Sequence, residues 1–359
     1  MYSDRWRLPC WKRMFTATLV ATVVVCVLLE TYSSQGTVGL IPPPYGPSRS
    51  YLTVDYDYPN KRLGNLLFNF ASTLGIARMT NMTPIYGRDF ALVKYFRLNV
   101  TLVDDIDNAM GMSVGYDEYG SRACAYDPFV ERLRTINTRL HGYYQSWKYF
   151  RQNEHDLRAH LHFRFDVLSR AQEFLRMNTP PQWKLVSFTR VGIHVRRGDI
   201  LRDYFQNYGY TVATEAYFTR AMALFKEQFP RIQFVVCSDD IAWCREHVRD
   251  ESVVYSEGNS PIIDLAILSS CDHVIMSTGS FSWWAAWLAG GMAVYYDDWP
   301  RPMSQLEYFV TKSDYFYPTW APISMKDRHW KRRVKLTPMY TRSDTFSVPV
   351  KTTSNKSLL

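Results

Sequence analysis

The sequence predicts an α/β protein built on a parallel sheet with helices on both faces. Three observations lead there. Between Leu185 and Tyr295, short apolar runs alternate with segments of helical length. Those runs are apolar throughout rather than alternating, as expected for strands buried on both faces. With 47% hydrophobic residues over 359 positions, the chain can fill a large core, which excludes a disordered protein. Six cysteines in that length are too few for a disulfide scaffold.

The elements follow in order. Phe15–Leu29 is an uncharged run of 15 residues with Trp11-Lys12-Arg13 before it and Glu30 after it. Its length suits a short span of a thin membrane, and the preceding basic residues place the N-terminus in the cytosol. The expected layout is a cytosolic tail over 1–13, a signal anchor over 14–29 and a Ser/Gly/Pro-rich stem over 30–50. A cleaved signal peptide has the same pattern, but no clear small-x-small site follows Leu29. Either reading sends the body into the secretory pathway, and the anchor reading makes it a type II membrane protein. Asn81, Asn99 and Asn355 then become glycosylation candidates.

From Tyr51 the chain reads as globular. Tyr51–Asp55 is expected as a strand and Leu66–Met79 as a helix, with Leu67, Phe70, Leu74 and Ala77 three or four apart. Asn99–Val103 and Arg139–Tyr144 are further strand candidates, and Asp166–Met177 is a helix. Asn178-Thr179-Pro180-Pro181 marks a domain break, separating 51–180 from 181–325. Beyond it, strands are expected at Leu185–Val195, Ile232–Cys237, Ser252–Tyr255 and Val274–Met276. Met292–Tyr295 is expected as the last. Helices are expected at Thr214–Phe229, Ile241–Val248, Pro261–Ser270 with Ser260 as N-cap, and Trp283–Ala289. A basic tail over 326–359 closes the chain.

Charge argues against nucleic acid. The formal net charge is +8, of which residues 1–29 carry +3 and 326–359 carry +7, leaving the body 30–325 at −2. A nucleic-acid binder concentrates basic charge on its folded domain. Cys124, Cys237, Cys244 and Cys271 allow three disulfide pairings, among which sequence alone does not choose. No Cys-x-x-Cys and no zinc spacing occurs. Asp55-Tyr56-Asp57 and Asp105-Ile106-Asp107 have an Asp-x-Asp form able to hold Mn²⁺, but neither clearly leaves a buried strand for a ligand loop. No metal or other cofactor is expected.

Four motifs carry chemistry, and three lie at expected strand ends, where ligands of such sheets bind. His194-Val195-Arg196-Arg197-Gly198-Asp199 ends an apolar strand in two guanidiniums, which can clamp a diphosphate, and in Asp199, which can orient one of them. Ser238-Asp239-Asp240 puts carboxylates where they can accept from guanine or ribose, or cap the next helix. Ser277-Thr278-Gly279-Ser280-Phe281-Ser282 runs into the Trp283-Trp284 helix and offers N–H groups to an anion. Upstream, Lys61-Arg62-Leu63-Gly64-Asn65 opens a helix. There Gly64 permits close approach, and Asn65 either contacts a ligand or caps the helix.

On these residues the chain resembles the alpha-1,2-fucosyltransferase family, the galactoside 2-alpha-L-fucosyltransferases. His-x-Arg-Arg-x-Asp at 194–199 is the strongest match. The segments 62–65, 140–147, 238–244 and 277–291 match in the same order. Lys61 and Leu66 depart from the family pattern, which has Gly and often Gln there. The resemblance implies two facing Rossmann-like domains of an inverting glycosyltransferase, preceded by the signal-anchor helix. It implies metal-independent transfer of L-fucose from GDP-β-L-fucose to terminal galactose of glycans. Arg196 would stabilise the leaving β-phosphate, with Arg197 beside it. His194, Asp239 and Asp240 would bind guanine or ribose. Ser280, Phe281 and Ser282 would hold phosphate, and Asn65 would reach the donor from the other domain. Asp199 and Asp203 are the candidate bases, Asp199 alternatively serving only as an arginine partner. The competing readings are another fucosyl linkage, alpha-1,6 or protein O-linked, and an inactive lumenal binder of glycans or nucleotide sugars.

Overall fold

The computed structural model describes residues 50–339 apart from 57–60, 119, 121 and 134–135. The expected cytosolic tail, anchor and all but the end of the stem lie outside the described residues, as do Asp57, Asn355 and the end of the basic tail. No helix among the described residues is long and apolar enough to cross a membrane.

Two parallel sheets organise the described residues. The first contains β1 (Tyr51–Val54), β2 (Thr83–Gly87), β3 (Thr101–Val103), β4 (Val114–Asp117) and β5 (Thr138–His141), in the spatial order β3-β2-β1-β5-β4. Its helices include α1 (Leu63–Met79), which crosses from β1 to β2, and α2 (Ile106–Met110). Every residue of β1 is buried, so the strand is apolar on both faces apart from Thr53. The face toward α1 carries Leu52, Val54 and Leu140, and the opposite face carries Tyr51, Ile85 and Val103.

The chain then passes through α3 (Glu154–His160) and α4 (Phe165–Met177). The latter is tied to the second sheet: Arg190 Nη2 donates to Thr179 Oγ1 just beyond α4 at 2.7 Å, and Gln233 Nε2 donates to the Asn178 carbonyl at 2.6 Å. The second sheet contains β6 (Thr189–Val195), β7 (Ile232–Ser238), β8 (Val253–Tyr255), β9 (His273–Met276), β10 (Ala293–Tyr296) and β11 (Ala321–Ile323), ordered β11-β10-β9-β6-β7-β8. Between its strands run α5 (Asp203–Tyr208), α6 (Glu215–Lys226), α7 (Ile241–His247), α8 (Pro261–Ser269) and α9 (Ser280–Ala289).

In the first sheet β1 and β5, remote in sequence, lie side by side, and the connections from β1 to β2, β2 to β3 and β4 to β5 all step in one direction. The second sheet has one point where the strand order reverses, between β6 and β9. Connections leave such a point in opposite directions and open a crevice at the carboxyl ends of the strands.

The two sheets share one hydrophobic core. Trp283, Trp284 and Trp287 of α9 are fully buried, as expected for core residues. Phe68 of α1 meets Trp283 and Trp284 at ring distances of 4.6 and 5.2 Å, and Phe150 stacks on Trp284 at 5.9 Å.

Several expectations are corrected. Met292–Tyr295 is not the last strand, because β11 follows and pairs parallel with β10. Its sequence Ala-Pro-Ile hides it, and proline is tolerated there because the strand is an edge. β6 begins at Thr189, with Leu185 98% exposed before it. β5 stops at His141 because Gly142 (φ +148°) and Tyr144 (φ +50°) leave the extended region. Ser260 sits at the N-cap of α8, but its hydroxyl accepts no capping bond. Arg62, not Asn65, is the N-cap of α1. The four described cysteines are all buried as free thiols, so none of the three pairings is formed.

Candidate functional site

The reversal point of the second sheet gathers three of the four motifs. β6 delivers Arg196 directly past its last residue, and β9 delivers Ser277 beside it, so that Ser277 Oγ accepts from the Arg196 backbone N–H at 3.0 Å. Gly279, the N-cap of α9, has φ +91°, and a side chain there would collide with Arg196 Nη1. The Nη1 end of the guanidinium therefore lies against the start of α9. A fixed cation and the N-terminus of a ten-residue helix converge on one spot, an arrangement able to hold an anion.

Arg196 is itself oriented. Its Nε and Nη2 donate to Oδ1 of Asp199 at 3.3 and 3.2 Å, and Nη2 reaches Oδ2 at 3.1 Å. Arg62, at the start of α1, donates to the same Oδ2. Partial burial of Asp199 would raise its pKa, but the two guanidiniums outweigh that and hold it below the usual carboxylate range. A carboxylate so held binds protons weakly.

Arg197 points elsewhere. Its guanidinium stacks over Trp243 at 4.0 Å and donates to Asp240 Oδ2 at 3.2 Å, while its backbone N–H donates to Asp239 Oδ1 at 2.8 Å. Asp240 also caps α7, accepting from the Trp243 N–H at 3.1 Å. Arg197, Asp239 and Asp240 thus form one braced turn at the end of β7. Gly198 belongs to it: a Cβ there would stand 2.6 Å from Asp239 Oδ2.

His194 is buried and its ring packs on Phe281 at 4.7 Å. Nδ1 bonds Ser282 Oγ at 2.7 Å and Ser277 Oγ at 3.3 Å. Burial first, and the Arg196 charge second, push the imidazole down to about 3, so it is neutral at any working pH. The histidine, Ser282 and Phe281 together brace the anion loop from below.

The fourth motif joins from the other sheet. Asn65 Oδ1 accepts from Ser280 Oγ at 2.7 Å and from Gln145 Nε2 at 2.9 Å. Gly64 makes this possible, because a Cβ there would stand 2.6 Å from Ser280 Oγ. The structure thereby brings together Arg196, Asp199, Asn65, Ser280, Phe281, Ser282 and His194, with Arg197, Asp239 and Asp240 alongside. Asp203 opens α5 with an exposed side chain that makes no hydrogen bond or ion pair among the described residues.

The Asp-x-Asp candidates are engaged otherwise. Asp55 binds His141 and Arg139, Asp105 caps α2, and Asp107 pairs with Arg139. Asn81 and Asn99 are both exposed.

Sequence reasoning missed three groups: the Arg62–Asp199 pair, His141 with Asp55, and Glu118. The last is a buried carboxylate that accepts from the backbone N–H groups of Tyr143 and Tyr144 at 2.9 and 2.8 Å, and burial pushes it up to about 7. The only available signal was an acidic or imidazole side chain at the end of a short strand.

Known proteins resemble this chain over most of its length. The model of "Glycosyl transferase family 11" matches residues 55–324. The rabbit (Oryctolagus cuniculus) galactoside alpha-(1,2)-fucosyltransferase 2 is 29% identical over 331 residues, covering 87% of this chain and 88% of its own. The galactoside alpha-(1,2)-fucosyltransferase 1 of Saimiri boliviensis boliviensis is 30% identical over 284 residues, 74% of each chain. Among solved structures, the NodZ alpha-1,6-fucosyltransferase soaked with GDP-fucose aligns over 70% of this chain and 96% of its own, at 15% identity and a TM-score of 0.44. With 270 of its residues under the family model and these relatives spanning most of its length, the chain belongs to glycosyl transferase family 11.

Proposed function

We propose that the protein transfers L-fucose from GDP-β-L-fucose to the 2-hydroxyl of a terminal galactose on glycans, with inversion and without a metal. The observation that carries this reading is Arg196 Nη1 lying against Gly279 at the start of α9. When the bond between fucose C1 and the β-phosphate oxygen breaks, its electron pair stays on the diphosphate. Arg196 and the α9 N-terminus meet that growing charge from fixed positions, the role a divalent ion fills in other transferases. Asp199 holds the arginine in place, and Arg62 adds a second cation beside it. The braced 239–240 turn and neutral His194 suit a nucleoside, which needs hydrogen-bonding edges rather than net charge. The names of the curated relatives support the donor sugar and the α-1,2 linkage.

The test is to incubate the protein with GDP-fucose and a panel of galactose-terminated acceptors in excess EDTA, then determine the linkage of the product. An α-1,2-fucosylated galactoside is expected. Formation of another linkage refutes the specificity, and activity restored only by Mn²⁺ refutes the metal-free mechanism. A single-pass type II placement in the Golgi membrane goes with this reading, supported by the basic residues before Phe15–Leu29. Protease added to intact microsomes should then spare the body.

A further inference from the structure

The motifs leave the acceptor hydroxyl without a strong base, since Asp199 is held between Arg62 and Arg196. A second strand-end constellation stands where β1 and β5, parallel neighbours in the first sheet, come to their carboxyl ends together. His141 is the last residue of β5, and Asp55 immediately follows β1, its neighbour. His141 Nδ1 donates to Asp55 Oδ2 at 2.7 Å. Asp55 Oδ1 accepts from Arg139 Nη1 at 3.4 Å, and Arg139 is itself held by Asp107. This bond fixes the tautomer: with the proton on Nδ1, the lone pair sits on Nε2. The ring fits because β4 carries Gly115, where a Cβ would stand 2.8 Å from Nε2. The side chains of His141 and Asp55 are 35% and 32% exposed, so the pair opens to solvent. Among the described residues, a second hydrogen-bonded histidine–carboxylate pair, His247 with Glu215, joins the end of α7 to the start of α6.

The pair and the anion site border the same helix start. Lys61 Nζ donates to the Asp55 carbonyl, and the next residue, Arg62, binds Asp199. On the other strand, Gln145 lies four positions after His141 and binds Asn65, which binds Ser280. The carboxyl ends of β1 and β5 thus approach the α1 N-terminus from one side, and those of β6 and β9 from the other.

We propose that this pair is the acceptor-side half of the active site, with His141 as the base and Asp55 as its positioning residue. The inference rests on the proposed fucosyl transfer. The acceptor oxygen forms its bond to fucose C1 as the C1–phosphate bond breaks. The hydroxyl proton moves to His141 Nε2, and GDP leaves with the electron pair. Asp55 stabilises the imidazolium so formed without taking its proton.

The experiment compares the full chain with H141A and H141Q. It measures transfer to a galactoside, GDP affinity by calorimetry, and the response to added imidazole. Transfer by both variants should fall by about 10²–10⁴ with GDP affinity unchanged, and imidazole should restore H141A in a dose-dependent way. D55N should fall comparably, because an amide in place of the carboxylate can donate to Nδ1 and move the ring proton to Nε2. Wild-type transfer by H141A and H141Q overturns the proposal. So does loss of GDP binding together with transfer, or a loss of transfer in D203N but not in H141A. If the wild-type chain binds GDP yet transfers no fucose, the proposed function itself fails, and this inference with it.

Discussion

Replacing Arg196 with lysine separates the two jobs of its guanidinium. Nε and Nη2 are committed to Asp199 at 3.1–3.3 Å, while Nη1 lies on Gly279 at the anion site. Lysine has one ammonium and must leave either Asp199 or the diphosphate unserved. The charge it would meet grows only as GDP departs, so the loss falls on turnover more than on donor binding. Losing one preorganised donor of this kind costs about 10²–10³ in rate, or about 2.7–4 kcal/mol of barrier. Asp199 keeps Arg62 as a partner, so the melting temperature should barely move. Initial rates over a range of GDP-fucose concentrations should show kcat reduced by that factor and a smaller change in KM. The same exchange at Arg197 should cost turnover less, because that guanidinium is spent on Trp243 and Asp240. A near wild-type kcat for R196K, or a loss confined to KM, would refute the assignment of Arg196 to the leaving group.

Three further outcomes are expected. G279A places a methyl group against Arg196 at a backbone angle of +91°, so kcat should fall as in R196K and unfolding free energy should drop by about 1–3 kcal/mol; an unchanged denaturation midpoint would contradict the geometry. N65A removes the bonds to Ser280 and Gln145, each worth about 0.5–1.5 kcal/mol, and denaturant titration should register their loss together with a raised KM for GDP-fucose. Glu118 is raised from 4.5 to about 7, so its contribution to stability is fully present below pH 4.5 and is lost as pH climbs through 7. E118Q should therefore gain about 3 kcal/mol relative to wild type across that window, and parallel stability curves for the two proteins would sink this account.

What could be read from the sequence was what is local. The apolar strands β6, β7 and β9 announce themselves by composition, and the polar residues that end them follow within a few positions, so those motifs and the tryptophan core were visible. Edge strands were not. β4 is Val-Gly-Tyr-Asp and largely exposed, and β11 is three residues with a central proline. Neither has enough apolar sequence to stand out. Contacts across the chain were equally hidden. The Arg62–Asp199 pair joins residues 137 positions apart, and His141–Asp55 joins residues 86 apart. Nothing in the local pattern around Asp199 says that two arginines will share it. Only the parallel pairing of β1 with β5 makes Asp55 and His141 neighbours.

The tryptophans of α9 make the two sheets interdependent for folding. Trp283 and Trp284 are covered by Phe68 and Phe150 from the amino-terminal half of the chain. A fragment beginning after the proline pair at 180–181 would lose that cover and present large indole surfaces to water, a strong drive toward aggregation. Swapping halves between relatives to change acceptor choice would therefore require the aromatic residues of α1, the 147–150 turn and α9 to travel as one block. Where that block is kept intact, the loops at the strand ends can be exchanged without disturbing it.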